Sequence, residues 1–580
     1  MSKHRGPQRN VIERLTAEGH RRVGLLDPGA LRRELPAASL LAGLLSLALV
    51  VGRAEYERGT VADMLTSPEA AVRFVAYLLA GLPLFLAAFC LLGAREARGA
   101  SDALAGGQAA ARQPSPTVSK WAIALAGVIL FLSWMPVLLA FWPGIFSYDL
   151  PYQTSQVMSG GYTRLHPPLH TFFWAFCIRL EFMGFLRAPT TYTLLQALGL
   201  SVSCCALLSY LNRKGVGRLG LSMALFFYAA DPVMALFACN PTKDVPLAMA
   251  MIPLAIETCE LTRDPSSYLG LPRRCAAYVL LATLCCLLRN NFPYAFLAFG
   301  LVAVVALRPH ARRLVPLFVL PLVLWGMING PVYDSLGVGP GSMRESLSVP
   351  LQQVACVASR HQGELSAEEL ACIGSFLPVS DIAHDYNPRF ADPVKDHVDR
   401  NEGMDARGFL MAWLRLGLHH PIDYLDAFLQ LNLQSWLPGI PTFDSVAQRI
   451  YIETESPSLD FYPHSYHSKA PALQSAYREI AHGEVLDRLP ILGSVFSLWM
   501  PFWLLLTTFA WLASRRSARR EWLVVILPLL LWGTHLLGPV ANMRYAFPLF
   551  TLYPLLAGLL LHRRAILGTP VRARRPRRRA

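Results

Sequence analysis

Runs of about 20 apolar residues recur from one end of this chain to the other, and that repetition limits its folds more than anything else in the sequence. In hydrocarbon every backbone N–H and C=O has to find its partner inside the protein, so such runs become helices unless they can close a barrel. Twelve segments fit the length: 36–54, 71–93, 121–142, 190–211, 219–238, 245–261, 275–288, 292–307, 314–332, 491–513, 522–540 and 545–561. Two are weak, because 275–288 is short and 219–238 contains Asp231-Pro232. With 53% hydrophobic and only 16% charged residues, against about 25% charged in soluble domains, the chain reads as an all-α polytopic membrane protein of about twelve transmembrane helices.

Charge gives the expected orientation. The N-terminal stretch 1–35 (Arg5, Arg9, Arg14, Arg21, Arg22, Arg32, Arg33) and the tail 562–580 are both strongly basic. An even number of spans puts them on one side, the cytoplasm, together with the basic connections 212–218, 262–274, 308–313 and 514–521. The formal net charge of +14 is thus a topology signal, and nucleic acid is not expected as a partner. The polar lead before the first apolar run is too long for a cleaved signal peptide, so that run is read as an anchor in the plasma membrane. Residues 100–118 read as a flexible linker. Counting 167–186 as a further span would invert every later loop; its Pro pair, His170, Arg179 and Glu181 suit a helix lying at the outer surface.

The chain then divides into a transmembrane region 36–332 with a first outer loop 143–189, an outer, mostly helical region 333–490, and C-terminal spans 491–561. Within 333–490, Ser366-Ala367-Glu368-Glu369 has the form of a capping box, 404–436 carries apolar residues at helical spacing, and many prolines cut the rest into short pieces. Of 11 Cys most lie in or beside spans, whereas Cys356 and Cys372 both fall in the outer region, where a disulfide can form; two buried thiols are the alternative.

Polar residues of interest gather on the outer side. Asp149, just after a span, has the chemistry of a general base or of a ligand for a divalent cation, and equally of a helix terminator or of an ion-pair partner for Arg164. His166 and His170 flank Pro167-Pro168 as acid and base or as hydrogen-bond donors to a phosphate, or as interfacial side chains bound to backbone. Tyr148 and Gln153 lie beside them. Three short outer turns break the positive-inside trend, each with a cation next to Asn or Asp: Lys243-Asp244, Arg289-Asn290, and Arg544-Tyr545 after Asn542. Brought together, Lys243, Arg289 and Arg544 make an anion site; kept apart, they are snorkelling residues, and Lys243 can be neutralised by Asp244.

Several of these pieces resemble known proteins. Phe146-Ser147-Tyr148-Asp149 followed by His166-Pro167-Pro168 looks like the first outer loop of the GT-C class of membrane glycosyltransferases. Asn240-Pro241-Thr242-Lys243-Asp244, Leu288-Arg289-Asn290-Asn291, the stretch Ser346–Gln353 and Arg544-Tyr545 further resemble a bacterial family known only as a domain of unknown function. The likeness covers roughly 120–560. It implies a GT-C-like fold, a polyprenyl-phosphate-linked sugar as donor, and an acceptor hydroxyl on a glycan, lipid or protein. Asp149 would be the loop carboxylate, and Arg289 and Arg544 would meet the lipid phosphate. GT-C members commonly carry paired acids at this place, and this chain has a single Asp. The rival class is a transporter or flippase for lipid-linked sugars, which calls for polar residues deep in the spans; Asp231, Glu257 and Glu260 are the main ones here.

Overall fold

The computed structural model describes residues 28–105, 116–361, 363–398, 406–442, 449–452, 462, 464–515 and 520–568. Most of both basic termini and of the 100–118 linker lies outside these residues. The described chain is helical, with isolated bridges such as Thr163 to Gly339 and no strand.

Seven helices are long and apolar enough to cross a bilayer: α1 (Pro28–Arg58), α2 (Pro68–Ala105), α3 (Lys120–Ala140), α6 (Ala188–Arg213), α9 (Asp244–Arg263), α12 (Arg308–Ser335) and α20 (Met543–Leu567). The helices α4 (Leu150–Ser159) and α5 (Pro168–Phe182) lie between α3 and α6. An eighth span is broken: α7 (Arg218–Ala230) and α8 (Pro232–Ala238) meet at 59°, where the ring of Pro232 removes a backbone donor and Asp231 Oδ1 caps the second helix through Val233 N–H at 2.7 Å. The other four apolar segments are shorter helices, α10 (Pro272–Leu288), α11 (Phe292–Ala306), α18 (Met500–Ser514) and α19 (Leu523–His535). Large apolar side chains such as Leu79, Leu84, Phe226, Leu301 and Val305 point outward from this bundle, which only lipid makes favourable on such a scale. The protein is a multi-pass membrane protein.

Two spans are central. In α9 and in α20, 72% of the most apolar window is buried, against 17% in α2 and α12. Both start at one end of the bundle and finish at the other. At the finishing end, Arg263 donates to the carbonyl of Gly568 at 2.7 Å, and Arg563 pairs with Glu96 of α2 and with Glu521. Arg515, after α18, pairs there with Glu34 of α1. The first described helix therefore begins, and the last one finishes, at the same end.

The opposite end is covered by the described residues between Leu336 and Val495. Helices α13 (Ser348–Arg360), α14 (Ala367–Gly374), α15 (Ala406–His419) and α16 (Pro421–Leu431) surround a core of their own built from Leu351, Val354, Val357, Ile373, Phe409 and Leu416. The Ser366 capping box at α14 forms as expected. The glutamines of the Ser346–Gln353 motif serve this core: Gln353 donates to the carbonyl of Tyr424 at 3.0 Å and accepts from Trp413 Nε1 at 2.8 Å. Cys356 and Cys372, for which the sequence leaves a disulfide and two buried thiols open, are both free. Cys356 is buried on α13, while Cys372 of α14 lies among Phe376, Phe409 and Trp413, so both remain thiols. A helix α17 (Pro471–His482) completes the cover, and the segment before it is hung on the bundle by His467 N–H to Trp142 O at 2.8 Å and Lys469 N–H to Leu139 O at 2.9 Å.

The disputed segment 167–186 forms α5, 15 residues long, and both its ends stay at the covered end of the bundle. His170, near its start, bonds Tyr192 in the second turn of α6 at 2.7 Å. Glu181, near its end, accepts from the first N–H of α6 at 2.7 Å and from Tyr462 of the cover at 2.7 Å. A spanning helix has its ends on opposite sides, so α5 lies across the bundle.

Candidate active site

Asp149 is the N-cap residue of α4, reached by a tight path from α3. Gly144 on that path has φ +143°, and a Cβ there would stand 2.8 Å from the backbone of Pro189, so only glycine fits. Tyr148 has φ +55°, a strained conformation for a side chain of its size. That turn aims its ring at the Arg544 guanidinium, 4.8 Å away, while its hydroxyl accepts the Tyr451 N–H at 2.8 Å. Before it, Ser147 donates to Asn240 at 2.8 Å, tying the loop to the start of the Asn240–Asp244 turn.

Of the sequence-nominated charged residues, Asp149, Lys243 and Arg544 converge directly. Lys243 Nζ lies 2.6 Å and Arg544 Nη1 2.9 Å from Asp149 Oδ2, with His166 Nδ1 3.2 Å from the same ammonium and 3.7 Å from the same carboxylate oxygen. Arg289 joins from one step behind. It pairs with the fully buried Asp244, hydrogen-bonds Asn291 at 3.1 Å, and lies 4.3 Å from the Tyr545 ring, whose other cationic neighbour is Arg544 at 5.1 Å. Lys243 and Asp244 do not neutralise each other, because successive residues at the start of α9 point apart: one meets Asp149 and the other Arg289. Arg164 takes Asp334, which leaves Asp149 to the cluster.

Lys243 and Arg544 stand at the first turns of α9 and α20, so two helix N-termini add positive potential to three buried cations. Burial disfavours charge on Asp149, but Arg544 and Lys243 outweigh it and hold the carboxyl well below the usual carboxylate range. Burial pushes His166 down to about 3 against the pull of Asp149, and the field of Lys243, Arg544 and Lys395 adds to the fall, so its imidazole is neutral at pH 7. Lys243 is lowered by burial while Asp149 opposes the shift. The donor set does not suit a divalent cation: one carboxylate is available, and Lys243 and Arg544 already enclose it.

Three other nominated residues play supporting parts. Gln153 and His170 share a hydrogen bond of 2.9 Å in a separate buried network with Thr171 and Tyr192, which fastens α4, α5 and α6 together. Asn290 donates to the carbonyls of Arg164 and Leu165, at 3.4 and 3.5 Å, and so fixes the chain just before His166. Sequence reasoning overlooked Tyr451, Asn240 and Lys395 as members of this neighbourhood. Asn240 stood in a quoted motif, but nothing local distinguishes Tyr451 or Lys395 from any other residue of the long outer region. His535, buried behind Tyr545 with ring centroids 6.0 Å apart, was also overlooked because it closes an apolar helix.

Residues 184–566 match a family of unknown function, DUF6020, over more than half of the chain. The chain belongs to the DUF6020 family. No curated protein and no solved structure matches it. The matched residues take in Lys243, Arg289 and Arg544, while Asp149 and His166 lie before them. In this DUF6020 chain the site is therefore assembled across the boundary of the matched region.

Proposed function

We propose that this protein is a membrane glycosyltransferase of GT-C type with twelve spans, both termini cytoplasmic, working at the outer face of the plasma membrane. It moves a sugar from a polyprenyl-phosphate donor to an acceptor hydroxyl on a glycan, a lipid or a protein. The observation that carries this reading is the surplus of positive charge over two carboxylates: Lys243, Arg289 and Arg544 against Asp149 and Asp244.

Transfer is a single displacement at the anomeric carbon. The acceptor oxygen forms the new C–O bond as its proton passes to Asp149, and the bond to the phosphate oxygen breaks with its electron pair leaving on that oxygen. The phosphate goes from one negative charge toward two, and the cations of α9, α10 and α20 stabilise the added charge as it develops. A bound phosphate also competes for Lys243 and Arg544, loosening the pairing that depresses Asp149 and making it a better base when the donor is present.

The test uses purified protein in liposomes with labelled polyprenyl-phosphate sugars and glycan or lipid acceptors. A new glycosidic bond is expected, lost by about 10²–10⁴-fold in Asp149→Asn. Movement of intact donor across the bilayer with no new bond would instead identify a flippase, and full transfer by the Asn variant would remove Asp149 as base.

A further inference from the structure

A second cluster, outside the proposed transferase site, joins three helices of the cover. His361 follows the last residue of α13, His420 and Asp423 belong to the start of α16, and Glu369 is in the first turn of α14. Coordinating atoms of His361, His420 and Asp423 all lie within 4.8 Å of one another. Asp423 Oδ2 is 2.9 Å from His361 Nε2 and 3.7 Å from His420 Nδ1. Ligands on a tetrahedral ion with bonds of about 2.0–2.1 Å stand about 3.3 Å apart, so these separations bracket the required one.

The far side of each ligand is also arranged. His420 Nε2 is 3.2 Å from Glu369 Oε1, and His361 Nδ1 faces Glu364 Oε2 at 3.6 Å. Asp423 Oδ1 accepts from Arg360 at 2.8 Å. A carboxylate behind a histidine fixes its tautomer and raises its basicity toward a metal, and the same relation occurs here for both rings. The two ring centroids are 4.6 Å apart, close enough for both imidazoles to reach one ion.

We propose that His361, His420 and Asp423 form a divalent transition-metal site of zinc type, with a solvent-side position open for a fourth ligand. Imidazole with one carboxylate selects Zn²⁺ over Ca²⁺ or Mg²⁺, which prefer all-oxygen shells. The ion ties α13 to α16. Arg360 extends the tie to the bundle, since it also bonds Asp426 at 2.6 Å and the Gly59 carbonyl just after α1, and Asp426 accepts the Val61 N–H at 3.0 Å. The metal is a staple of the cover on the membrane bundle.

Full-length protein purified in detergent without chelators is expected to carry about one zinc per chain by elemental analysis. After chelator treatment, added Zn²⁺ should raise the unfolding midpoint by about 3 °C, and Mg²⁺ should not. His420→Asn and Asp423→Asn should lose both the metal and the shift, while His482→Asn keeps them. Co²⁺ loaded into the chelated wild-type protein should show the visible absorption of a tetrahedral site, a readout that does not depend on any variant folding. Substoichiometric zinc with no midpoint shift, or an octahedral Co²⁺ spectrum identical to that of the aqueous ion, would overturn the assignment.

Discussion

Both ends of the bundle are laced with ion pairs, yet their charges are set out differently. At the end where the chain's described termini meet, buried Arg515 and Arg563 face buried Glu34, Glu96 and Glu521, and the balance comes from Arg33 and Arg564, which are half exposed at 52% and 56%. At the covered end the surplus runs the other way and stays inside: Lys243, Arg289 and Arg544, exposed by only 12%, 8% and 12%, meet Asp149 and Asp244. The first pattern holds helix ends together and lets water take up the remaining charge. In the second, a surplus cation is kept away from water, which is costly unless an anion comes to it. The contrast separates a layer whose surplus charge reaches water from one whose surplus cation does not.

The comparison can be broken by substitutions, beginning with the most damaging. Asp244→Asn leaves Arg289 charged and buried with its principal partner gone, and should cost about 3–5 kcal/mol, seen as a lowered thermal midpoint in detergent. Arg544→Gln should keep the fold and lower kcat by about 10²–10³-fold, because a cation that meets developing charge acts in the transition state. Glu96→Gln, in the other layer, is expected to cost about 1–3 kcal/mol of stability and leave kcat unchanged, since Arg563 retains Glu521. An equal loss of kcat in Glu96→Gln and Arg544→Gln would erase the distinction between the layers.

The smallest effect is one of pH. His166 titrates near 6.5 when unfolded and at about 3 when folded, so between those values the unfolded chain binds the extra proton and stability falls as pH drops. Its share of the slope approaches about 1.4 kcal/mol per pH unit, and the total slope should fall by that amount in His166→Gln, with the buried His170 and His464 among the groups supplying the rest. Asp149 acts with the same sign in a lower window: its depressed pKa adds stability that is fully present above the ordinary carboxylate range and lost as pH falls through its folded value, so it contributes no slope between pH 5 and 7. Denaturant midpoints measured across pH 5–7 separate the two.

Much of this architecture was legible because lipid simplifies the problem. Most anticipated apolar runs overlap a helix or a broken pair, and the two weak segments, 219–238 and 275–288, differ in the ways Asp231-Pro232 and short length imply, whereas 491–513 starts in the separate short helix Pro490–Val495 and 522–540 runs past the end of α19 at His535. Seven helices meet the full length, and the broken pair adds an eighth. The site was legible only as a side of the membrane: charge pattern put Asp149, Lys243, Arg289 and Arg544 on one face, but who pairs with whom depends on side-chain directions at helix starts. Lys243 and Asp244 are neighbours in sequence and belong to different ion pairs. His170 looked equivalent to His166, yet one turn of α5 carries it into a network with Gln153 and Tyr192. The cover was the least legible part, since its contacts with Asp149's loop come from isolated residues such as Tyr451 and Tyr466, which lie outside helices.

The central claim is that Asp149 occupies cations meant for a phosphate, and the binding of polyprenyl phosphate to wild-type protein and to Asp149→Asn tests it most directly. Removing the competing carboxylate while keeping its shape should tighten lipid-phosphate binding by about tenfold even as transfer is lost. Unchanged or weaker binding by the variant would contradict the account, because Lys243 and Arg544 would then be holding Asp149 for the fold alone.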